Sequence, residues 1–516
     1  MPNSHKILIC SPVSKRQLGA SEIDCQVFAD TLQRINPPAI SENIDNLVDE
    51  LNSDLYRAAS SAKVTNDYGT TAAGDRWERL LNSNDSKVIW RAIDWGGSIT
   101  QCAKQVRPTD QEFKDHFEML LNPIDAPPLC VPDTYQSPYI PVTDDPIKPQ
   151  EVIDAINWVK GDKAGGPSGV TPRCLKFLPE SWISFLTVLF TLIFTVGQYP
   201  GFWGIARLVA IFKKGITTCC NNYRGIAIMD SIAKLYDWIL CKRLEKWFKP
   251  DREQAGSQRG RRCIEHIATL RLLVDYALHK RYKLFVTFVD FSKAYDTVPR
   301  NALTQVMKSL GCVAGMLCAT ALMYSNTKFV FGTALITTAV GVRQGSPTSC
   351  LLFTLYVNGL IRNLKDCCAT DGYLSWLHSL MFMDDTVILA TNRDRCQEKL
   401  AILMDYCKTS GMKINADKTK FMVINGTVED KQPFVVAGQT IKNGEVYTYL
   451  GSIFSQDGKI SSAIKAHCKA KSNQIYKFQS FLTKIRICLY GRRKSCPMLL
   501  SYPQFCMDAK DGFVGA

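Results

Sequence analysis

Two adjacent carboxylates, Asp384-Asp385, constrain this chain more than any other feature, because they lie between apolar runs. Leu380-Met381 precedes them and Val387-Ile388-Leu389-Ala390 follows. Apolar runs rich in β-branched residues predict strands, and a polar pair between two of them predicts a hairpin tip. Neighbouring half-buried acids repel one another unless cations neutralise them. Hard divalent ions with oxygen ligands are the common partner. The same residues would also suit an ordinary acidic turn, since Asp favours turns. A second acid decides between the two. The apolar run Val286-Thr287-Phe288-Val289 ends in Asp290 and predicts another strand, with a helix after it. If Asp290 neighbours the hairpin, three carboxylates converge as two-metal phosphoryl transfer requires, with ions roughly 3.5–4 Å apart.

Further motifs stand in a fixed order around these acids. Arg207-Leu208-Val209-Ala210-Ile211-Phe212-Lys213-Lys214-Gly215 and Asn222-Tyr223-Arg224-Gly225-Ile226 come first, then Gln254-Ala255-Gly256 and Arg259-Gly260-Arg261. Gly341-Val342-Arg343-Gln344-Gly345-Ser346-Pro347 lies between Asp290 and Asp384. Gly411-Met412-Lys413-Ile414-Asn415-Ala416-Asp417-Lys418 and Tyr449-Leu450-Gly451 close the series. One such match would be weak, but the ordered set is specific. It resembles the reverse transcriptase of non-LTR (LINE-type) retrotransposons, one part of a larger polyprotein.

That resemblance implies an α+β right-hand polymerase fold, with an antiparallel palm sheet backed by helices, helical fingers, an incomplete thumb and an N-terminal helical connector. It implies an RNA-directed DNA polymerase that adds deoxynucleoside triphosphates to a primer 3′-hydroxyl. Two Mg2+ ions, or Mn2+ in their place, would be cofactors, with template RNA and primer DNA as partners. Asp290 and Asp384 would be the principal metal ligands, Asp385 an accessory one, and the Phe291 backbone carbonyl would complete the shell. Lys213, or Lys214, and Arg224 would grip the triphosphate as fixed cations. Tyr295 would exclude a ribose 2′-hydroxyl. Gln344 and Gly345 would position the nucleotide, and Lys418 would serve the pyrophosphate as a general acid or charge partner. Gly256, Arg343, Tyr449, Leu450 and Gly451 would line the primer and template. The alternative is a remnant that keeps the fold and binds nucleic acid but extends primers poorly. The oligomeric state is not implied.

Bulk properties agree. Sixty-two Lys+Arg against 48 Asp+Glu give a net charge of +14, which suits a polyanionic partner. The 20 cysteines are scattered without zinc-ligand spacing. The early apolar run Ile7-Leu8-Ile9-Cys10 is too short for a signal peptide. Reduced thiols in an intracellular protein of the nucleus or cytoplasm, not a secreted one, are therefore expected. The apolar stretch 182–196 falls short of the ~20 residues a bilayer span needs and predicts a buried helix, with no membrane partner.

The expected organisation is a polar and helical connector over 1–110, with amphipathic helices at 77–81 and 87–93. A helical extension over 111–199 precedes fingers and palm over 200–425, and 426–516 would end the palm and begin a truncated thumb. Phe212 and Gly225 stand where relatives commonly carry proline, and Ser257 where they carry an aromatic. These departures spare the carboxylates and fall in the fingers. The family pattern fades after about Leu489 and no endonuclease-like segment precedes the polymerase, so a fragment or a decayed copy is expected.

Overall fold

A computed structural model describes residues 23–63, 107–129, 137–161 and 163–462, with isolated positions as far as 472. The helices expected at 77–81 and 87–93, and the part of the expected thumb beyond 472, lie outside the described residues. One compact unit comprises residues up to Asn66 and Lys104–Gly458, and a second comprises Asp67–Ala103 and Lys459–Ala516. The sheets and the acidic residues all belong to the first unit.

Twelve strands form among the described residues, the three predicted beside the acids included. In chain order they are β1 (Ile205–Phe212), β2 (Tyr223–Met229), β3 (Leu284–Val289), β4 (Lys328–Phe331), β5 (Ala334–Thr337) and β6 (Ser379–Phe382). They continue with β7 (Asp385–Ala390), β8 (Lys420–Ile424), β9 (Phe434–Val436), β10 (Gln439–Asn443), β11 (Val446–Tyr449) and β12 (Ser452–Ser455). A six-stranded sheet has the order β6-β7-β3-β8-β10-β9, a four-stranded sheet the order β2-β1-β4-β5, and β11 pairs with β12.

The six-stranded sheet is antiparallel from β6 to β8 and parallel between β8 and β10. The expected antiparallel sheet is thus mixed at one end. Its centre, β3, is buried along its whole length, as an apolar run without alternation should be. Phe285 and Val289 face a core shared with the helices Ser349–Cys367 and Arg393–Ser410. Leu284, Val286 and Phe288 face a second core under the helix Cys263–Lys280. The period-2 geometry of a strand divides its side chains between the two cores.

The four-stranded sheet lies within the 200–425 segment expected to form fingers and palm. Ile205–Phe212 and Tyr223–Met229 pair along their length as a long antiparallel ribbon, and β4 adds to β1 in parallel. The helix expected after Asp290 follows, but not at once. Turns run from Ser292 to Asp296, and the next helix begins only at Arg300. Two local facts oppose a helix there: Lys293 has φ +47°, and the Ser292 amide donates to the Lys413 carbonyl at 2.8 Å. A left-handed residue interrupts right-handed helical geometry.

The helix Glu180–Val196 forms as predicted and ends on Gly197 at φ +69°, a left-handed cap that glycine tolerates. Trp182 is buried within it, and its Nε1 donates to the Leu32 carbonyl at 3.1 Å. That bond ties the helices Cys25–Gln33 and Ile44–Ser61 to the main core. Among the described residues, no helix is long and apolar enough to cross a membrane, and the described cysteines are free thiols.

Candidate active site

β6 and β7 are joined by a two-residue turn, Met383-Asp384, with Phe382 paired to Asp385. Met383 has φ +60°, a region that costs a residue with a Cβ and therefore needs outside support. The Gln254-Ala255-Gly256 segment supplies it. The amides of Met383 and Gly256 both donate to Gln254 Oε1, at 3.0 and 2.8 Å, and Gln254 is fully buried. The Met381 amide donates to the Glu253 carbonyl at 2.7 Å, and the Met381 carbonyl accepts from the Ala255 amide at 2.9 Å. A Cβ on Gly256 would lie 2.4 Å from the Met383 nitrogen. Gly256 is buried against the acidic turn, whereas the sequence placed it along the primer and template.

β3 lies beside β7 with Val289 opposite Thr386. One residue further along this register, Asp290 stands opposite Asp385. The Asp290 backbone is pinned on both sides, its amide donating to Thr419 Oγ1 at 3.1 Å and its carbonyl accepting from the Asn415 amide at 2.7 Å. The Phe291 carbonyl takes no part in this pairing, although Phe291 bridges Ile414. Lys418 lies on the turn before β8, and its Nζ stands 3.4 Å from Asp290 Oδ2.

The three acids feel one another. Burial, then the charges of Asp384 and Asp290, push Asp385 up to about 6, and Lys213 opposes the rise. Part of the Asp385 side chain reaches solvent, so this is the burial of a recessed cleft, not of a core. Burial also raises Asp384, while Arg224 and Lys213 draw it down. The two cations thus reach the acids from the end of β1 and from β2. Among the described residues, no group of three His, Cys, Asp or Glu side chains is already in metal-holding geometry. The donor set nevertheless fits a hard cation: carboxylate oxygens and a carbonyl, crowded enough to repel, with an ammonium already against one of them.

Tyr295 flanks the turn. Its ring stacks on Phe353 at 4.4 Å and 19°, its hydroxyl approaches Met383 Sδ at 3.4 Å, and burial pushes its phenol pKa well up. Gln344 donates from Nε2 to Asp296 Oδ1 at 2.7 Å, while its carbonyl accepts from the Ala227 amide at 2.7 Å. Gly345 has φ +116°, and a Cβ there would fall 2.5 Å from the Ala227 carbonyl oxygen. Only glycine lets the loop approach β2 this closely.

Two assignments are corrected. Arg343 is 1% exposed. Its guanidinium donates to the Trp203 and Met323 carbonyls at 3.4 and 3.2 Å and lies over the Tyr324 ring. These two carbonyls and the ring hold it inside the core, so it cannot reach a primer or template. Tyr449 is 2% exposed and packs near Phe288, so its side chain is a core group and offers no surface to a primer. Leu450 and Gly451, at φ +47° and +83°, form the two-residue turn between β11 and β12, where both positions need positive φ. Sequence reasoning missed Gln254, whose amide clamps the turn, and Asp296, whose partner Gln344 is 48 residues away. It also missed Tyr447, stacked on Phe288 at 4.1 Å and 9°. Asp296 had a signal, since it closes the same motif as Asp290 and Tyr295.

Comparison with known proteins agrees with this geometry. Residues 211–454 match the family described as "Reverse transcriptase (RNA-dependent DNA polymerase)". The chain is 26% identical over 314 residues to the retrovirus-related Pol polyprotein of the type-2 retrotransposable element R2DM of Drosophila melanogaster, covering 57% of this chain and 29% of that protein. It is 21% identical over 492 residues to the RNA-directed DNA polymerase of the mobile element jockey of Drosophila funebris, covering 90% of this chain and 50% of the relative. The chain thus spans at most half the length of these two relatives. Among solved structures, apo telomerase from Candida tropicalis is similar with a TM-score of 0.37 and 12% identity, over 55% of this chain and 52% of that one. The fold is α+β of the right-hand polymerase kind, and the domain that holds the acidic turn is a reverse transcriptase domain of the LINE type.

Proposed function

We propose that this domain is an RNA-directed DNA polymerase, adding deoxynucleoside triphosphates to a primer 3′-hydroxyl on an RNA template. The observation that carries this reading is the register that sets Asp290 opposite Asp385, with Asp384 on the turn between β6 and β7. Asp290, Asp384 and the Phe291 carbonyl would hold divalent ions, Mg2+ or Mn2+, with Asp385 as an accessory ligand. Such ions would stabilise charge on the attacking and leaving oxygens. The chain's own groups do the rest. Lys213 and Arg224 neutralise the triphosphate, Tyr295 fills the space a 2′-hydroxyl would need, and Lys418, beside Asp290, serves the leaving pyrophosphate as a charge partner. The six-stranded sheet is the palm and the four-stranded sheet belongs to the fingers. The work belongs inside the cell, in nucleus or cytoplasm.

Primer extension on an RNA template with Mg2+ tests this, run beside an Asp384→Asn variant. The expected result is extension by the parent alone, with RNA affinity equal in both. Extension by both, or by neither, overturns the assignment. The second outcome with RNA still bound would leave a binding fold.

A further inference from the structure

The backbone around Asp296 is zipped to the nucleotide loop. The Gly341 amide donates to the Val298 carbonyl at 2.8 Å and the Val342 amide to the Tyr295 carbonyl at 2.9 Å. Gly341, at φ +85°, lies so close that a Cβ would meet the Asp296 carbonyl oxygen at 2.7 Å. Asp296 and Gln344 therefore hold fixed places, and their side chains meet at 2.7 Å. An ionised carboxylate only accepts hydrogen bonds, whereas a carboxamide has one donating end and one accepting end. Asp296 can therefore engage only the NH2 end of Gln344. Among the described residues, none donates to Gln344 Oε1 in return. We propose that Asp296 is a positioning residue that fixes the Gln344 amide with its oxygen toward the cleft, so that the site presents an acceptor to a hydroxyl of the incoming nucleotide. This rests on the polymerase reading. A deoxynucleoside triphosphate carries a single sugar hydroxyl, at C3′, and the Tyr295 ring takes the 2′ side. The predicted consequence is selection for nucleotides with a 3′-hydroxyl, a property of Asp296 as much as of Gln344.

The experiment compares single-nucleotide incorporation of a deoxynucleotide and its 2′,3′-dideoxy analogue by the parent, Asp296→Asn and Asp296→Leu, with KM and kcat separated. A hydrogen bond lost to a site that expects it should cost about tenfold. Asp296→Leu should raise KM for the deoxynucleotide about tenfold and leave the dideoxy KM nearly unchanged. Asp296→Asn, whose carboxamide can pair with either end of Gln344, should lose part of the preference, but less of it than Asp296→Leu. An equal rise in both KM values, or a fall in kcat alone, would mean a merely structural role and overturn the proposal. A second readout is independent of activity: the side-chain amide resonances of Gln344 in glutamine-labelled protein should move on Asp296→Leu. Unmoved resonances refute the orientation. If the parent extends no primer but the resonances move, the polymerase reading fails and the orientation stands.

Discussion

Gly256→Ala is a sharp probe of how the acidic turn is held. Gly256 does not have the positive φ that would penalise alanine, so the effect is purely one of space. The added methyl would lie 2.4 Å from both the nitrogen and Cγ of Met383 and 2.8 Å from Gln254 Oε1, where even tight contacts stay above 3.0 Å. The Cγ can swing aside, but the backbone nitrogen cannot. To restore ordinary contact near 3.4 Å, the turn must retreat by about 1 Å, because overpacked sites relieve themselves by backbone shifts. Met383 precedes Asp384 directly, so the carboxylate moves with it. A misplacement of about 1 Å costs on the order of 10²-fold in rate, or about 2.7 kcal/mol of barrier. Overpacking should also lower fold stability by roughly 1–3 kcal/mol. The assay is single-turnover extension with saturating nucleotide, beside thermal melting and RNA binding. The expected result is a ~10²-fold slower chemical step with RNA affinity unchanged. Parental rates from a folded Gly256→Ala protein would refute the argument, because they would mean that the turn does not depend on this close approach.

Two further outcomes are expected. Tyr295→Ala removes the ring stacked on Phe353 and should raise ribonucleotide use relative to deoxynucleotide by roughly 10–100-fold, the range one steric contact commands; unchanged discrimination would exclude Tyr295 as the gate. Asp296 is pushed up to about 6, chiefly by burial, against the pull of Gln344, Lys293 and Arg224. Its folded value thus lies above its unfolded one, so the folded state binds the proton more tightly. The stability it contributes is complete below about pH 4 and is lost as pH rises to about 6, at most ~3 kcal/mol. Asp296→Asn, which cannot ionise, should melt progressively higher than the parent from pH 4 to 6.5 and keep a constant margin above that. A margin independent of pH across this window would sink the assignment.

The site was legible where its chemistry is local. Asp384 and Asp385 between apolar runs and Asp290 at the end of another specify strands, a turn and converging charge without help from elsewhere. The helix Glu180–Val196 was legible for the same reason, its apolar run and its glycine stop being contiguous. What could not be read depended on partners distant in the chain. Arg343 looks like a surface cation in a glycine-rich loop, and only the Trp203 and Met323 carbonyls reveal it as a core residue. Tyr449-Leu450-Gly451 reads as a nucleic-acid contact until Phe288 is seen against the tyrosine. Gly256 gave no sign that its missing side chain makes room for Met383. The helix expected after Asp290 starts only at Arg300 because a left-handed Lys293 and the Lys413 carbonyl hold the intervening turns, and neither is visible in the segment itself.

The segment that holds the acidic turn has a second effect, on how the chain reaches its fold. β6 is an outer strand of the six-stranded sheet, and an uncovered outer strand offers its amides and carbonyls to any passing chain. Gln254 bridges Met381 in parallel fashion, so the residues that hold the acidic turn also close that border against self-association. The two partners lie far apart, Gln254 and Met383 being separated by 129 positions, and contacts of such long range form slowly. Synthesis runs in a favourable direction, since residues 253–256 leave the ribosome long before 379–382. The cover is therefore already present when the border strand emerges. Refolding from denaturant lacks that order, and should yield more aggregate than synthesis does.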